Sequence, residues 1–326
     1  MRDIYFEKDY GILHERVEGG TCEVFEYGSS TGNIRHMFIR REIPINIGDT
    51  IYYDLITPYD YGGPVIEACR AGEKGKLIEE FEEAFGDYCW QNHIVSEFVR
   101  FHPLVENARD FERCYQVAHS RNTVGTNLKH YKDPFMEEFS KSARKSIRRA
   151  FRAGVEFEVI EGPIDLGDFR RIYYSTMDRK RAPDFYYFGD EYFENCLRFF
   201  RENIALVEAT YQGKTVASGL YFTYNDMIHA HLSGTLADYL HLSPAYVLKY
   251  AITLWGKKRG YALIHHGGGI TKSKNDSLYR FKQKFGKNTG FQFHTGRKVW
   301  NKEIYRRLCL AKGVGEDRGF FPAYRA

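Results

Sequence analysis

The sequence predicts an α+β fold built around a mixed, mostly antiparallel sheet flanked by helices. Three observations lead there. Segments rich in Tyr, Phe, Val and Ile recur between polar turns along the chain, which holds 25 Tyr and 25 Phe in 326 residues. Such residues favour a pleated, half-buried surface. Between them stand segments whose apolar positions follow the helical period. In the second half the order is strand, two helices, three strands joined by tight turns, then helix, strand, helix, strand. At this length two domains are expected, here divided as 1–140 and 141–326.

In the first half, Cys22–Tyr27 and Ile34–Arg40 read as a hairpin, because residues 28–33 (GSSTGN) have turn chemistry. Ile51–Leu55 is a further strand, and residues 57–64 (TPYDYGGP) break regular structure. Gly75–Tyr88 places Leu77, Ile78, Phe81 and Phe85 on one helical face. His93–Phe101 alternates as a strand, with weaker strands at Tyr115–His119 and Asn122–Leu128. A helical stretch from Pro134 to Arg152 joins the halves, with Pro near its start and Gly154 just past its end.

In the second half, Val155–Ile160 is a strand, and Leu166–Met177 and Asp190–Glu202 are helices. Ala205–Tyr211, Thr215–Tyr224 and Met227–Gly234 are strands joined by Gln212-Gly213-Lys214 and Tyr224-Asn225-Asp226. Ser243–Arg259 is a helix with Ser243 as its cap, Pro244 in the first turn and Gly260 at its end. Ala262–His265 is a short strand, Ser277–Phe285 a helix and Phe291–Val299 a strand.

Composition removes several function classes. A net charge of +4 is mildly basic and implies no global field of the kind a dedicated nucleic-acid binder carries. The six cysteines form no CxxC pair, so neither a zinc site nor a disulfide framework is signalled. Residues 1–4 lead straight into polar sequence, and no apolar run approaches the roughly 20 residues of a membrane span. The expectation is a cytoplasmic chain without stable membrane insertion, and with no metal. Its oligomeric state is not legible.

Several segments carry a resemblance. Residues 57–64 (TPYDYGGP) are similar to a TPYxYGGP loop, residues 98–103 (FVRFHP) to an FxRxDP strand end, residues 144–155 (RKSIRRAFRAGV) to an RxxIRKAxKxGV helix, and residues 281–286 (FKQKFG) to FKxxFG. His265-His266-Gly267-Gly268 falls where a DxGG turn is found. In this order, over roughly residues 50–290, the chain resembles the FemABX aminoacyltransferases, whose fold consists of two halves like GNAT N-acyltransferases. The element order of the second half is that of a GNAT domain, and the first half carries a looser version.

The resemblance implies transfer of an aminoacyl group from aminoacyl-tRNA to an amine of a peptidoglycan or cell-envelope precursor, with no bound cofactor and with tRNA and a small peptide or sugar precursor as partners. It gives Lys282 the role of stabilising an oxyanion or phosphate, with Lys284 as fallback. By residue pattern alone Lys282 also fits a surface lysine on a helix anchored by Phe281 and Phe285. His102 stands where the family has Asp. With an ordinary pKa near 6.5 it suits a general base for the incoming ammonium; the other reading is a strand-end histidine bonded to backbone.

The helix over 141–152 carries Lys141, Arg144, Lys145, Arg148, Arg149 and Arg152 and no acid, opposite an apolar stripe. It can hold a tRNA backbone or a substrate diphosphate, or form a solvated face. Tyr59, Asp60 and Tyr61 in their Gly/Pro loop, Arg100 beside them, Arg144 and Arg148, Lys284, and Arg179 at a helix end are the expected substrate-binding residues. Residues 236–242 (LADYLHL) lack the glycines of the turn that binds CoA pyrophosphate in ordinary GNAT domains. A CoA- or carrier-dependent N-acyltransferase is the alternative activity, and a non-catalytic binding relative is a third reading.

Overall fold

The structure is a computed structural model that describes residues 3–316 and 319–326. Met1 and Arg2, read above as part of a polar N-terminal run, lie outside the described residues. The chain forms two compact units, one comprising residues 1–120 with 292–326 and the other 121–291. This differs from a division at 140. The last segment belongs to unit 1, and the crossing into unit 2 comes before the basic helix.

Unit 1 begins with a 3-10 turn at Ile4–Phe6 and the short helices α1 (Lys8–Leu13) and α2 (Glu15–Glu18), none of which the sequence pattern announced. The hairpin β1 (Thr21–Ser29) and β2 (Gly32–Glu42) is longer than expected and turns at Ser30-Thr31. Next come β3 (Tyr53–Ile56), β4 (Val65–Cys69), α3 (Lys74–Gln91), β5 (Ile94–Arg100) and α4 (Asn107–Asp110). One strand, β6 (Gln116–Asn127), replaces the two weak ones and carries the chain into unit 2.

There the expected long helix is two: α5 (Pro134–Glu137) and α6 (Lys141–Arg152). The break has a cause, since Ser140 Oγ accepts from Ala143 N at 3.2 Å and starts α6 anew. Then follow β7 (Val155–Glu161), α7 (Gly167–Lys180), α8 (Asp190–Phe200), β8 (Ile204–Tyr211), β9 (Lys214–Tyr224), β10 (Met227–Thr235), α9 (Pro244–Arg259), β11 (Leu263–Gly268) and α10 (Ser277–Gln283). Residues 237–242 wind into a 3-10 helix. Ser243 precedes α9 with φ 59° and makes no side-chain cap, contrary to the expected role; Pro244 and Gly260 stand as expected. The chain returns to unit 1 along β12 (Gly290–Val299) and adds α11 (Lys302–Lys312).

In unit 1, β1, β2 and β3 are antiparallel neighbours, β4 pairs with β2, β3 runs parallel to β5, and β5 is antiparallel to β12. The core packs the phenylalanines of α3 (Phe81, Phe85) against Phe38, Val99 and Phe101. In unit 2, β7, β8, β9 and β10 form an antiparallel run, β11 joins β10 in parallel, and β6 is antiparallel to β11. Helix α9 covers this sheet through Val247, Leu248, Ala251 and Ile252, packed on Val207, Tyr221, Ile228 and Ile264. The cysteines are free thiols, all buried except Cys69.

Candidate active site

The chemistry-bearing residues of unit 2 converge where two parallel strands part. The ladder between β10 and β11 holds only from Met227/Leu263 to His229/His265, although β10 continues to Thr235 and β11 to Gly268. Both strands carry an irregularity just there, β10 between Ala230 and Leu232 against β9, and β11 between His265 and Gly267 against β6. Bulges bend a strand and re-aim its side chains, and they recur beside active sites.

Lys282 on α10 points to this fork. Its Nζ donates to the carbonyl of Gly268 at 2.8 Å, at the end of β11, and the residue is half-buried. Three devices hold α10 in place. Asp276 caps it by accepting from Tyr279 N at 2.9 Å, and also accepts from Ile270 N and Thr271 N. Burial raises the Asp276 pKa, but these bonds outweigh it and hold the carboxyl down at about 2. Phe285, just past the helix, is fully buried with Phe139, Ala143 and Ile147. Gly286 lies so close to β6 that a Cβ there would come 1.8 Å from the Gly125 carbonyl. The FKxxFG pattern is thus chiefly a packing device that fixes the position of its lysine.

Behind Lys282 lies a buried array that the sequence reading missed. Lys249 of α9, 7% exposed, sits with its Nζ 3.3 Å from His266 Nδ1. His266 Nε2 lies 2.8 Å from Thr126 Oγ1, which donates to the Phe285 carbonyl at 2.6 Å. The hydroxyl proton being used there, Thr126 accepts from Nε2–H, so Nδ1 is the lone-pair side and accepts from Lys249. Burial pulls the Lys249 pKa from 10.5 down to about 7, helped by the charge of Lys282. Burial and the two lysines likewise drive the His266 pKa well below its usual value. The Tyr221 ring lies 5.2 Å from Lys249 Nζ, and its buried hydroxyl has no hydrogen-bond partner among the described residues. No carboxylate contributes to the shift of Lys249 or His266. The array is a buried cluster of a lysine and a neutral histidine behind the Lys282 ammonium, suited to negative charge that develops during a reaction.

Other expected residues have structural partners. Lys284 donates to Tyr246 OH at 2.9 Å. Arg144 spans the α5–α6 break, donating to the carbonyls of Met136 and Phe139 at 2.9 and 2.5 Å. Arg179 donates to the Thr235 carbonyl at 2.7 Å, tying α7 to the end of β10. Arg148 is exposed.

In unit 1, Arg100 reaches the Thr57 carbonyl at 2.7 Å and Glu18 at 3.0 Å, so it braces the Tyr59–Tyr61 loop. Tyr61 is buried against His102 and Phe293; Tyr59 and Asp60 are partly exposed, Asp60 with φ 69°. His102 is 1% exposed. Its Nδ1 accepts from Leu104 N and Val105 N, and its Nε2 lies 3.2 Å from Asp3 Oδ2. This is the strand-end histidine bonded to backbone. His102 and Lys282 belong to different units.

Residues 137–283 match the family described as acetyltransferase (GNAT) domain, a span that takes in α6, Lys249, His266 and Lys282. The chain is 22% identical over 273 residues to a UDP-N-acetylmuramoylpentapeptide-lysine N(6)-alanyltransferase of Weissella viridescens, covering 77% of this chain and 78% of that protein. Its fold is similar to that of FemX, with TM-score 0.68 at 10% identity over 94% of both chains. It is also similar to L-PGS of Bacillus licheniformis, with TM-score 0.54 at 13% identity over 98% of this chain and 100% of that one. The chain has the FemX-like fold and carries an acyltransferase domain. Among the described residues no helix is long and apolar enough to cross a membrane.

Proposed function

We propose that this chain is an aminoacyltransferase that moves an aminoacyl group from aminoacyl-tRNA to an amine of a peptidoglycan or other cell-envelope precursor. The alanyltransferase relative supports the reaction class. The glycine-free 3-10 segment at 237–242, where a CoA pyrophosphate turn would stand, favours a donor other than CoA. The observation that carries the proposal is the Lys282 ammonium, fixed at the strand fork beside a buried lysine and a neutral histidine.

The acceptor nitrogen attacks the ester carbonyl. A C–N bond forms, negative charge gathers on the carbonyl oxygen, and the C–O bond to the ribose breaks. Lys282 stabilises the oxyanion, and its charge counts for more because the site is shielded from bulk water. The nitrogen must shed protons, and the leaving ribose oxygen must gain one. Lys249, with a pKa near neutrality, accepts the first and returns one to the ribose oxygen. His266 and Thr126 keep its lone pair aimed. His102 then positions the Tyr59–Tyr61 loop through its contact with Tyr61 instead of acting as the base.

The test is transfer of labelled amino acid to a nucleotide-linked muramoyl peptide. Lys282→Met is expected to lower kcat/KM roughly 10²–10³-fold, with little change in melting temperature, and ribonuclease to abolish transfer by the wild type. Transfer that survives ribonuclease and requires acyl-CoA would overturn the donor; full activity in Lys282→Met would overturn the site.

A further inference from the structure

Helix α6 carries a stripe of charge that no carboxylate among the described residues neutralises. Lys141, Lys145, Arg148, Arg149 and Arg152 are all exposed. At 3.6 residues per turn they fall within an arc of about 100°. The opposite face, Ala143, Ile147 and Ala150, is at most 1% exposed. None of the five makes an ion pair with a carboxylate among the described residues. Arg149 lies 3.3 Å from Ser243 Oγ and 3.5 Å from the His241 carbonyl, and Arg152 Nε donates to the Arg148 carbonyl at 3.3 Å. Arg144, at the border of the stripe, is the helix's one arginine committed to the carbonyls of Met136 and Phe139. Five like charges along one helix repel one another, and the helix contains no acid to offset them.

We infer that the exposed face of α6 is the docking surface for the phosphate backbone of an RNA, the body of the donor tRNA whose aminoacyl end reacts at the fork. The inference rests on the donor assigned above, but its physical basis is separate. From Lys141 to Arg152 the stripe runs about 16 Å along the helix axis, the length over which one strand of a duplex presents roughly five phosphates. Cations on a convex helix diverge, so they suit an extended polyanion better than one diphosphate, which needs converging donors. An anionic membrane is a poorer partner. An interfacial helix buries an apolar face in the lipid, and the apolar face of α6 is already buried in the protein. Contacts to phosphates carry no sequence information, so the surface holds the RNA in register without selecting its sequence.

Binding of fluorescently labelled, deacylated bulk tRNA to the full chain tests this. The variant is K145E/R148E/R152E, and the control K302E/R307E/K312E makes the same charge change on exposed positions of α11. The α6 variant is expected to weaken binding at least about 30-fold near 100 mM salt, and to flatten the slope of log affinity against log salt by roughly 2–3. The control should shift binding less than about 3-fold. Equal losses in both variants overturn the inference, as do unchanged RNA binding or loss only of binding to phosphatidylglycerol vesicles. RNA binding that depends on α6 in a chain with no aminoacyl transfer sinks the donor assignment and leaves the docking surface standing. Transfer by wild type that both variants retain at low tRNA concentration does the reverse.

Discussion

Lys249 is the residue on which the site's chemistry and the protein's stability pull in opposite directions. Its pKa falls from 10.5 in the unfolded chain to about 7 in the fold. Between those values the unfolded chain binds a proton that the folded chain does not. Stability therefore declines as pH falls from about 10.5 to 7 and levels off below the folded pKa. At neutral pH the buried amine is a liability. Lys249→Met is expected to raise unfolding free energy by about 1–3 kcal/mol at pH 7, with the gain shrinking as pH approaches 10. Transfer should fall roughly 10²-fold or more. Wild-type kcat/KM should rise with pH through about 7 as the amine deprotonates, a limb the variant lacks. A variant that loses stability and activity together marks Lys249 as packing only. The sequence offered a signal for this residue: it is the single charge in residues 244–256 (PAYVLKYAITLWG), apolar on nearly every side. A lone lysine in such a run ordinarily snorkels to water, and only the tertiary fold shows that this one does not. His266 stood in a noticed HHGG turn, but its partners come from β6 and α9, distant in the chain.

Among the elements, α10 shows why a motif can be read before it is understood. Its lysine is set by what precedes and follows it, Asp276 on one side and Phe285 and Gly286 on the other. Phe285→Ala is expected to cost about 3–5 kcal/mol. Gly286→Ala must push α10 off β6 and should lower transfer even in molecules that remain folded. Activity retained in a folded Gly286→Ala protein would show that the lysine tolerates displacement. Glu138 is a further tie, accepting from Asn127 N at 3.2 Å and Asn288 N at 3.0 Å while fully buried. The antiparallel run β7–β10 was legible because its turns hold Gly and Asn and its strands are clearly bounded. Strand β6 was read as two weak pieces because Thr123, Val124, Gly125 and Thr126 are all buried, so the period-two alternation that marks a one-sided strand is missing. The bulges at the fork have no local sequence signature at all.

At the scale of the molecule, the segment after β12 had to be placed by tertiary structure. Its helix went unread, although Ile304, Tyr305, Leu308 and Cys309 fall on one face of α11. That face packs with Ile43 and Val95. Beyond it, Tyr324 reaches Ser96 at 2.7 Å and Asp54 at 3.2 Å, and Arg325 reaches Asp54 at 2.5 Å. Removing residues 301–326 is expected to strip hydrogen-exchange protection from β3 and β5 while the strands of unit 2 keep theirs. Uniform protection after truncation would show that unit 1 does not need its closing segment.

Because unit 2 is one uninterrupted stretch of chain set within unit 1, the two cannot mature in the order in which they begin. As the polypeptide leaves the ribosome, residues 121–291 are all present while the earlier residues still lack β12 and α11. A nascent chain generally completes its domains one by one. Here the inserted unit finishes first, and residues 1–120 must wait, with one edge of their sheet bare, until β12 and α11 have been made.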